Sequence, residues 1–319
     1  MTASSTRVCV VNELRVATCK DGAVFVSYDQ TWMDQDSSWW AKANRAKEHI
    51  DSLRRQVDEY RASAPNSLTS EPTEKPDRLA YRLRFSKQVP VRITTTVGDV
   101  LHNLRAALES LAFEVARRGQ GGTLTARQEK ESTFPICETP EALDAFFTGK
   151  GKKGLLYDRR GRAAFRSVQP FVNLEEAHKL GVALNRSFDE TFSWSELHRL
   201  DTLWNIDKHR RLTLTAWRPD LIWWGSDGTS NRRALPGDGT LADGSILLYI
   251  EGTDEGQSDK LSHEFNLVLT DDPAASRDQG AADDVVDLLE RWHQHIVNLV
   301  VFPRVFTIMS QATAPADGE

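Results

Sequence analysis

The sequence predicts an α+β fold: mainly a helical bundle, with a small antiparallel sheet appended and a long C-terminal helix. Three observations predict it. Val97, Leu101, Leu104, Leu108, Leu111 and Val115 recur at helical spacing. After Arg211 the pattern turns to alternation, in "LTLTAWRPDLIWW", "SILLYIEG" and "HEFNLVLT". From residue 281 to about 313 a helical pattern returns. Helices, then strands, then a helix is the order of an α+β chain.

Residues 1–33 form an N-terminal hairpin or extension. "RVCVV" and "AVFVSY" flank "CKDGA", where Asp21-Gly22 is a turn signal. This piece is either an edge element or an extension upstream of a start at Met33. Residues 34–211 form the bundle core. Its first helix spans 34–62, with Asp36 or Ser37 as cap. Residues 63–79 are polar, carry prolines and read as a loop. The second helix runs from about Thr96 to Arg118. Thr96 and Asp99 have capping-box spacing, and "GQGG" stops the helix. "TPEALDAFF" is a short helix with Thr139 as cap and Pro140 at its first position. A helix around 174–187 follows. Ser193 and Glu196 make a capping box for the next, which ends in "WNIDKHRRL". Residues 212–275 supply three or four antiparallel strands. Residues 276–319 hold the last helix, broken or kinked at Pro303 and packing back on the bundle.

Composition narrows the function. The 319 residues are 39% hydrophobic and 27% charged, an ordinary globular balance. A net charge of −6 excludes a wholly basic nucleic-acid binder, although not a basic patch. Three cysteines, Cys9, Cys19 and Cys137, with no CxxC, argue against a disulfide framework and a zinc site. A reduced, cytoplasmic setting is the simplest expectation. No signal peptide is visible, and "IVNLVVFPRVFTIM" is too short and interrupted to cross a bilayer. No cofactor, no metal and no membrane partner are expected.

The polar constellation centres on Asp207. Leu197, Leu200 and Trp204 mark an apolar stripe whose next position is Asp207, so that carboxylate should be partly buried and should have a partner. The second helix offers His102, Arg105 and Glu109, with Arg105 and Glu109 at pairing distance along the helix. The first helix offers Arg45, Glu48 and His49. A cluster of Asp207, His209, His102 and Arg105 is a structural network, a site where an imidazole serves as general acid or base, or a metal or ligand site held by His102, Asp207 and His209, although no HExxH or similar helix pair is present. His293 and His295 are two apart on a helix and read as surface or interface residues, not a chelating pair.

The segment "KGKKGLLYDRRGRAAFR", residues 150–166, carries seven cations against one acid, with Tyr157 and Phe165 interleaved. Lys152, Lys153, Arg159, Arg160 and Arg162 are the candidate nucleic-acid contacts there, with the aromatics available for stacking. The segment reads first as a solvated, flexible loop rich in charge, with nucleic-acid contact as the alternative. Nine tryptophans, including the pairs Trp39-Trp40 and Trp223-Trp224, mostly serve the core, with exposed rings marking an interface.

Several stretches together, "RAKEHIDSL", "GDVLHNLRAALESLAFEVA", "STFPICET", "VQPFVN" and "LDTLWNIDKHRRL", resemble a family of uncharacterised bacterial proteins common in actinobacteria. The shared order is LHNLR, FPI, QP and NIDKHR, over roughly residues 32–215. This resemblance implies that those residues form a set and implies no activity. The chain also resembles HEPN-type helical bundles, many of them RNA-cleaving toxin or defence proteins. Their motif is an arginine, a polar residue, three variable positions and a histidine. Asn205 and His209 match the last two roles, Trp204 stands at the arginine position, and Arg45 and His49 are one residue too close. The HEPN resemblance implies RNA cleavage, with His209 as general base or acid, Asp207 orienting it, and Arg105 and His102 stabilising phosphate charge. The competing expectation is a non-enzymatic interaction module, a homodimer through the C-terminal helix or the Trp-rich sheet, whose His/Asp/Arg cluster only stabilises the bundle.

Overall fold

The structure is a computed structural model. It describes residues 37–149, 153–172, 196–210, 212–214, 243–252, 266–271 and 283–310, together with the backbone of strands in 8–27, 215–222, 233–236 and 262–265. The fold is α+β and mainly helical. The described elements are β1 (Val8–Val11), β2 (Leu14–Thr18), β3 (Val24–Ser27), α1 (Ser38–Ala62), β4 (Asn66–Pro72), β5 (Arg78–Phe85), α2 (Val91–Gly119), α3 (Ala126–Glu131), α4 (Pro140–Thr148), α5 (Arg159–Arg166), α6 (Glu196–His209), β6 (Leu214–Ile222), β7 (Arg233–Pro236), β8 (Ile246–Glu251), β9 (Ser262–Leu269), α7 (Val285–Gln294) and α8 (Val301–Ser310). The chain divides into two compact units, residues 1–50, 98–210 and 289–319 in one and residues 51–97 and 211–288 in the other.

In the first unit the helices follow their apolar stripes. Trp39, Ala43, Ala46 and Ile50 of α1 are buried at alternating spacings of four and three. Leu101, Leu104, Leu108, Leu111 and Val115 of α2 are fully buried. The Trp39 ring of α1 lies 5.0 Å from Phe302 and 4.9 Å from Phe306, and Lys47 pairs with Glu290 at 2.9 Å. Thr139 caps α4 by accepting from the Ala142 N–H at 3.2 Å, with Pro140 at the first helical position. β1, β2 and β3 form an antiparallel sheet in that order. "RVCVV" therefore pairs with Leu14–Thr18 and not with "AVFVSY".

The second unit holds the antiparallel sheet β4-β5-β8-β7 and the separate ladder β6-β9. Tyr81, Leu248 and Ile250 form the sheet's core, with Leu68 and Leu79 against it. Arg78 pairs with Glu251 across β5 and β8, and Arg82 with Glu71 across β4 and β5. Asp284 is a buried node. It accepts from the Val286 and Leu267 N–H groups and pairs with Arg61 at 2.5 Å, so one carboxylate caps α7 and holds β9.

Four expectations need correction. Residues 63–79 are not a loop: β4 fills 66–72, its polar sequence templated by β5. The helix expected from Thr96 starts at Val91, behind Pro90. Thr94 and Thr96 satisfy their hydroxyls on the backbone carbonyls one turn earlier, so Thr96 does not cap. Pro303 does not break the last helix. A π-helical turn at His295–Leu299 ends α7, and Pro303 sits in the first turn of α8, where its missing N–H is harmless. Residues 159–166 are helical, not a flexible loop. The helix expected around 174–187, the Ser193 cap and the Trp223-Trp224 pair lie outside the described residues.

Candidate functional site

α6 carries the centre of the expected cluster. Leu197, Leu200 and Leu203 are fully buried, and Asp207, one turn beyond, is half-buried. It lies against the part of α2 that carries Gly98. A Cβ added to Gly98 would fall 2.7 Å from Asp207 Oδ2 and 2.9 Å from Oδ1. The carboxylate occupies space that any larger residue at position 98 would claim. Burial pushes its pKa above the usual carboxylate range, the negative Asp99 pushes it the same way, and His102 acts in the opposite sense. Among the described residues Asp207 makes no hydrogen bond and no ion pair.

Arg105, the expected partner, is engaged elsewhere. It is 7% exposed. Its Nε donates to Asp201 Oδ1 at 3.1 Å and its Nη2 to the Phe134 carbonyl at 3.2 Å. Nη1 lies 2.6 Å from Glu109 Oε1, an ion pair one turn along the helix. The guanidinium also sits 5.2 Å from the Trp204 ring centroid. Glu109 in turn accepts from the Phe134 N–H at 3.0 Å and the Thr133 hydroxyl at 3.2 Å. Tyr157 Oη accepts from the Thr133 N–H and donates to its carbonyl. From the other side Gln169 accepts from the Cys137 N–H and donates to the Pro135 and Phe165 carbonyls.

The result is a lock around residues 133–137. It draws Arg105 from "LHNLR", Phe134 from "STFPICET", Gln169 from "VQPFVN" and Asp201 from "LDTLWNIDKHRRL". Four of the five stretches of the set meet here, and "RAKEHIDSL" does not contribute. Asp207 and His102 stand outside the lock.

His102 and His209 are exposed, and His209 makes no hydrogen bond with Asp207. Asn205 is exposed and donates to Asp201 Oδ2 at 3.2 Å. Lys208 Nζ sits 3.3 Å from the Trp204 ring centroid. Glu48 pairs with Arg45 at the surface, at 2.6 Å, and does not enter the cluster. Lys152 lies outside the described residues, Lys153 stacks over Phe146 at 5.0 Å, and Arg159 and Arg162 are exposed with Arg160 half-buried. Tyr157 and Phe165 are buried at 1% and 0% exposure, so neither ring is offered for stacking. His293 is not a surface residue: it is buried, with Nε2 3.2 Å from the Ala43 carbonyl.

Gly98 and Asp201 are functional positions that the sequence patterns do not single out. Gly98 carried a signal, because a glycine inside a strongly periodic helix costs roughly 1 kcal/mol against alanine and asks for a reason. Asp201 looks like an ordinary polar residue and Gln169 stands out only through the QP motif, and only the fold brings them to residues 133–137.

Among the described residues no group of three or more His, Cys, Asp or Glu side chains is placed to hold a metal ion. No described helix is long and apolar enough to cross a membrane. No family model matches the chain, and no curated protein and no solved structure matches it.

Proposed function

We propose that Asp207 and His102 form an acid–base site on a HEPN-like RNA-cleaving or nucleic-acid-binding protein of the bacterial cytoplasm, of a defence or toxin type. The observation that supports this reading is the unpartnered Asp207. The chain keeps a helix-interior glycine to make room for it, then leaves it half-buried beside a second carboxylate. Each feature costs stability, and neither is offset by a bond to Asp207. Arrangements of that kind concentrate where a protein needs a tuned proton acceptor. In this reading the carboxylate takes the proton of a 2′-hydroxyl, the freed oxygen attacks the adjacent phosphorus, and an exposed imidazole protonates the departing 5′-oxygen. His102 of α2 acts on the Asp207 carboxylate by its charge, and His209 ends the same helix as Asp207. Arg105 takes no part, since its guanidinium is committed to the lock.

The test is incubation of the purified protein with labelled single-stranded RNA, with and without EDTA. Cleavage to a 2′,3′-cyclic phosphate, lost in His102→Ala or His209→Ala at unchanged melting temperature, is expected. RNA left intact under both conditions sinks the reading.

One observation favours a second reading, a non-enzymatic interaction module. Four motif stretches spend polar groups on the lock, which is satisfied inside the chain. In that case Asp207→Asn changes nothing measurable except stability, and the protein elutes as a dimer.

A further inference from the structure

α5 displays a row of arginines with a function that the lock and the Asp207 site leave unused. Asp158 caps this helix by accepting from the Gly161 N–H at 2.7 Å. Gly161, Ala164 and Phe165 face inward and are buried. Arg159, Arg162 and Arg166 therefore fall on the opposite side, at spacings of three and four, and all three are exposed. Arg166 is neutralised by Asp144. Arg159 and Arg162 make no ion pair or side-chain hydrogen bond among the described residues. Lys153 precedes the helix and Arg160 flanks it. In a chain of net charge −6, this is a concentrated positive ridge carried on a rigid base.

The base is rigid because its aromatics are used for packing. The Tyr157 ring lies 4.9 Å from Phe165, Phe165 lies 5.2 Å from Phe134, and the Tyr157 hydroxyl is tied to Thr133. The same packing removes both rings from the surface. What α5 offers a partner is fixed positive charge and guanidinium forks, without a stacking platform.

We infer that the Arg159–Arg162 ridge of α5 is a docking surface for the phosphate backbone of RNA, read by charge and without base preference. Guanidinium forks match phosphate oxygens, and backbone contacts carry no sequence information. The identity of the polyanion rests on the RNA reading proposed above, while the charge argument stands apart from catalysis. The surface differs from the Asp207 site, so binding and cleavage separate by mutation.

The experiment is fluorescence anisotropy with labelled oligo(U), oligo(A) and a mixed-sequence RNA of equal length, from about 50 to 200 mM salt. The proteins are wild type, Arg159→Ala/Arg162→Ala and Arg159→Glu/Arg162→Glu. Both arginines are exposed, so the variants are expected to fold, and matching circular dichroism melts verify this. Wild type should bind the three RNAs about equally. The alanine pair should weaken binding about tenfold and flatten the slope of log K against log salt by about 1.4. The glutamate pair should weaken it further. An RNA that is bound in this way but never cleaved refutes the acid–base reading and leaves the docking surface standing. No RNA binding by wild type, unchanged binding by both arginine pairs, or a strong preference among the three RNAs overturns the inference. Binding of anionic lipid vesicles or an acidic peptide instead of RNA also overturns it.

Discussion

Arg105 and Asp207 are two charged residues on neighbouring helices with opposite economies. Arg105 meets two carboxylates, a carbonyl and a ring, and is almost wholly buried. Removing one member of a buried ionic network leaves the others uncompensated. Arg105→Ala should cost about 3 kcal/mol or more, read as a lower denaturant midpoint. Arg105→Lys should recover little, because an ammonium cannot serve Asp201, Glu109 and the Phe134 carbonyl as a planar fork does. Asp207 behaves in reverse. Its folded-state pKa lies above its unfolded value, so the favourable state is the protonated one: that contribution is full at low pH and is lost as pH rises through the folded pKa. Asp207→Asn should therefore raise the melting temperature at neutral pH, with the difference closing as pH falls below the carboxylate range. Gly98→Ala adds helix propensity worth about 1 kcal/mol and displaces the carboxylate, whose half-exposed end can turn away. That variant should melt no lower than wild type and should lose cleavage. A Gly98→Ala protein of full activity would show that the position of Asp207 is immaterial.

Among the elements, those with a strong period were readable. The leucine stripe of α2 and the Thr139-Pro140 start of α4 rest on local chemistry, and local chemistry is visible in a sequence. β4 was not readable, because only Leu68 in it is an apolar side chain at a strand-like position, and its pairing partner β5 supplies the reason to be extended. The π-helical turn between α7 and α8 was equally silent, since Pro303 draws the eye to the wrong place. That turn has a measurable consequence. His295 opens it, with a buried Nε2 that finds no hydrogen-bond partner. Burial, helped by the positive Arg304, lowers its pKa to about 4 from the usual value near 6.5. A histidine depressed on folding stabilises nothing by its charge. The unfolded chain binds its proton first, so stability is intact above pH ~6.5 and falls as pH drops toward 4. The loss should approach about 3 kcal/mol across that window. Chemical denaturation at a series of pH values checks it, and His295→Gln should flatten the acid limb. An equally steep limb in the variant would assign it to other groups.

At the scale of the whole molecule the candidate site was half legible. The sequence places Asp207 on an apolar stripe and names "LHNLR" as its neighbour, and the structure puts Gly98, Asp99 and His102 of α2 around it. The assignment of Arg105 to that neighbourhood did not survive, because arginine is long and its direction is set by Asp201, Glu109 and residue 134, which only tertiary structure assembles. The expected cluster is two structures: a closed lock that joins four stretches of the chain, and a carboxylate left outside it. That division is the central claim, and single-turnover cleavage of a labelled RNA by Asp207→Asn, with its melting temperature taken on the same sample, tests it most directly. The expected result is a protein at least as stable as wild type whose cleavage rate falls by about 100-fold or more. A variant that cleaves at the wild-type rate, or one that is inactive only because it has unfolded, would contradict it.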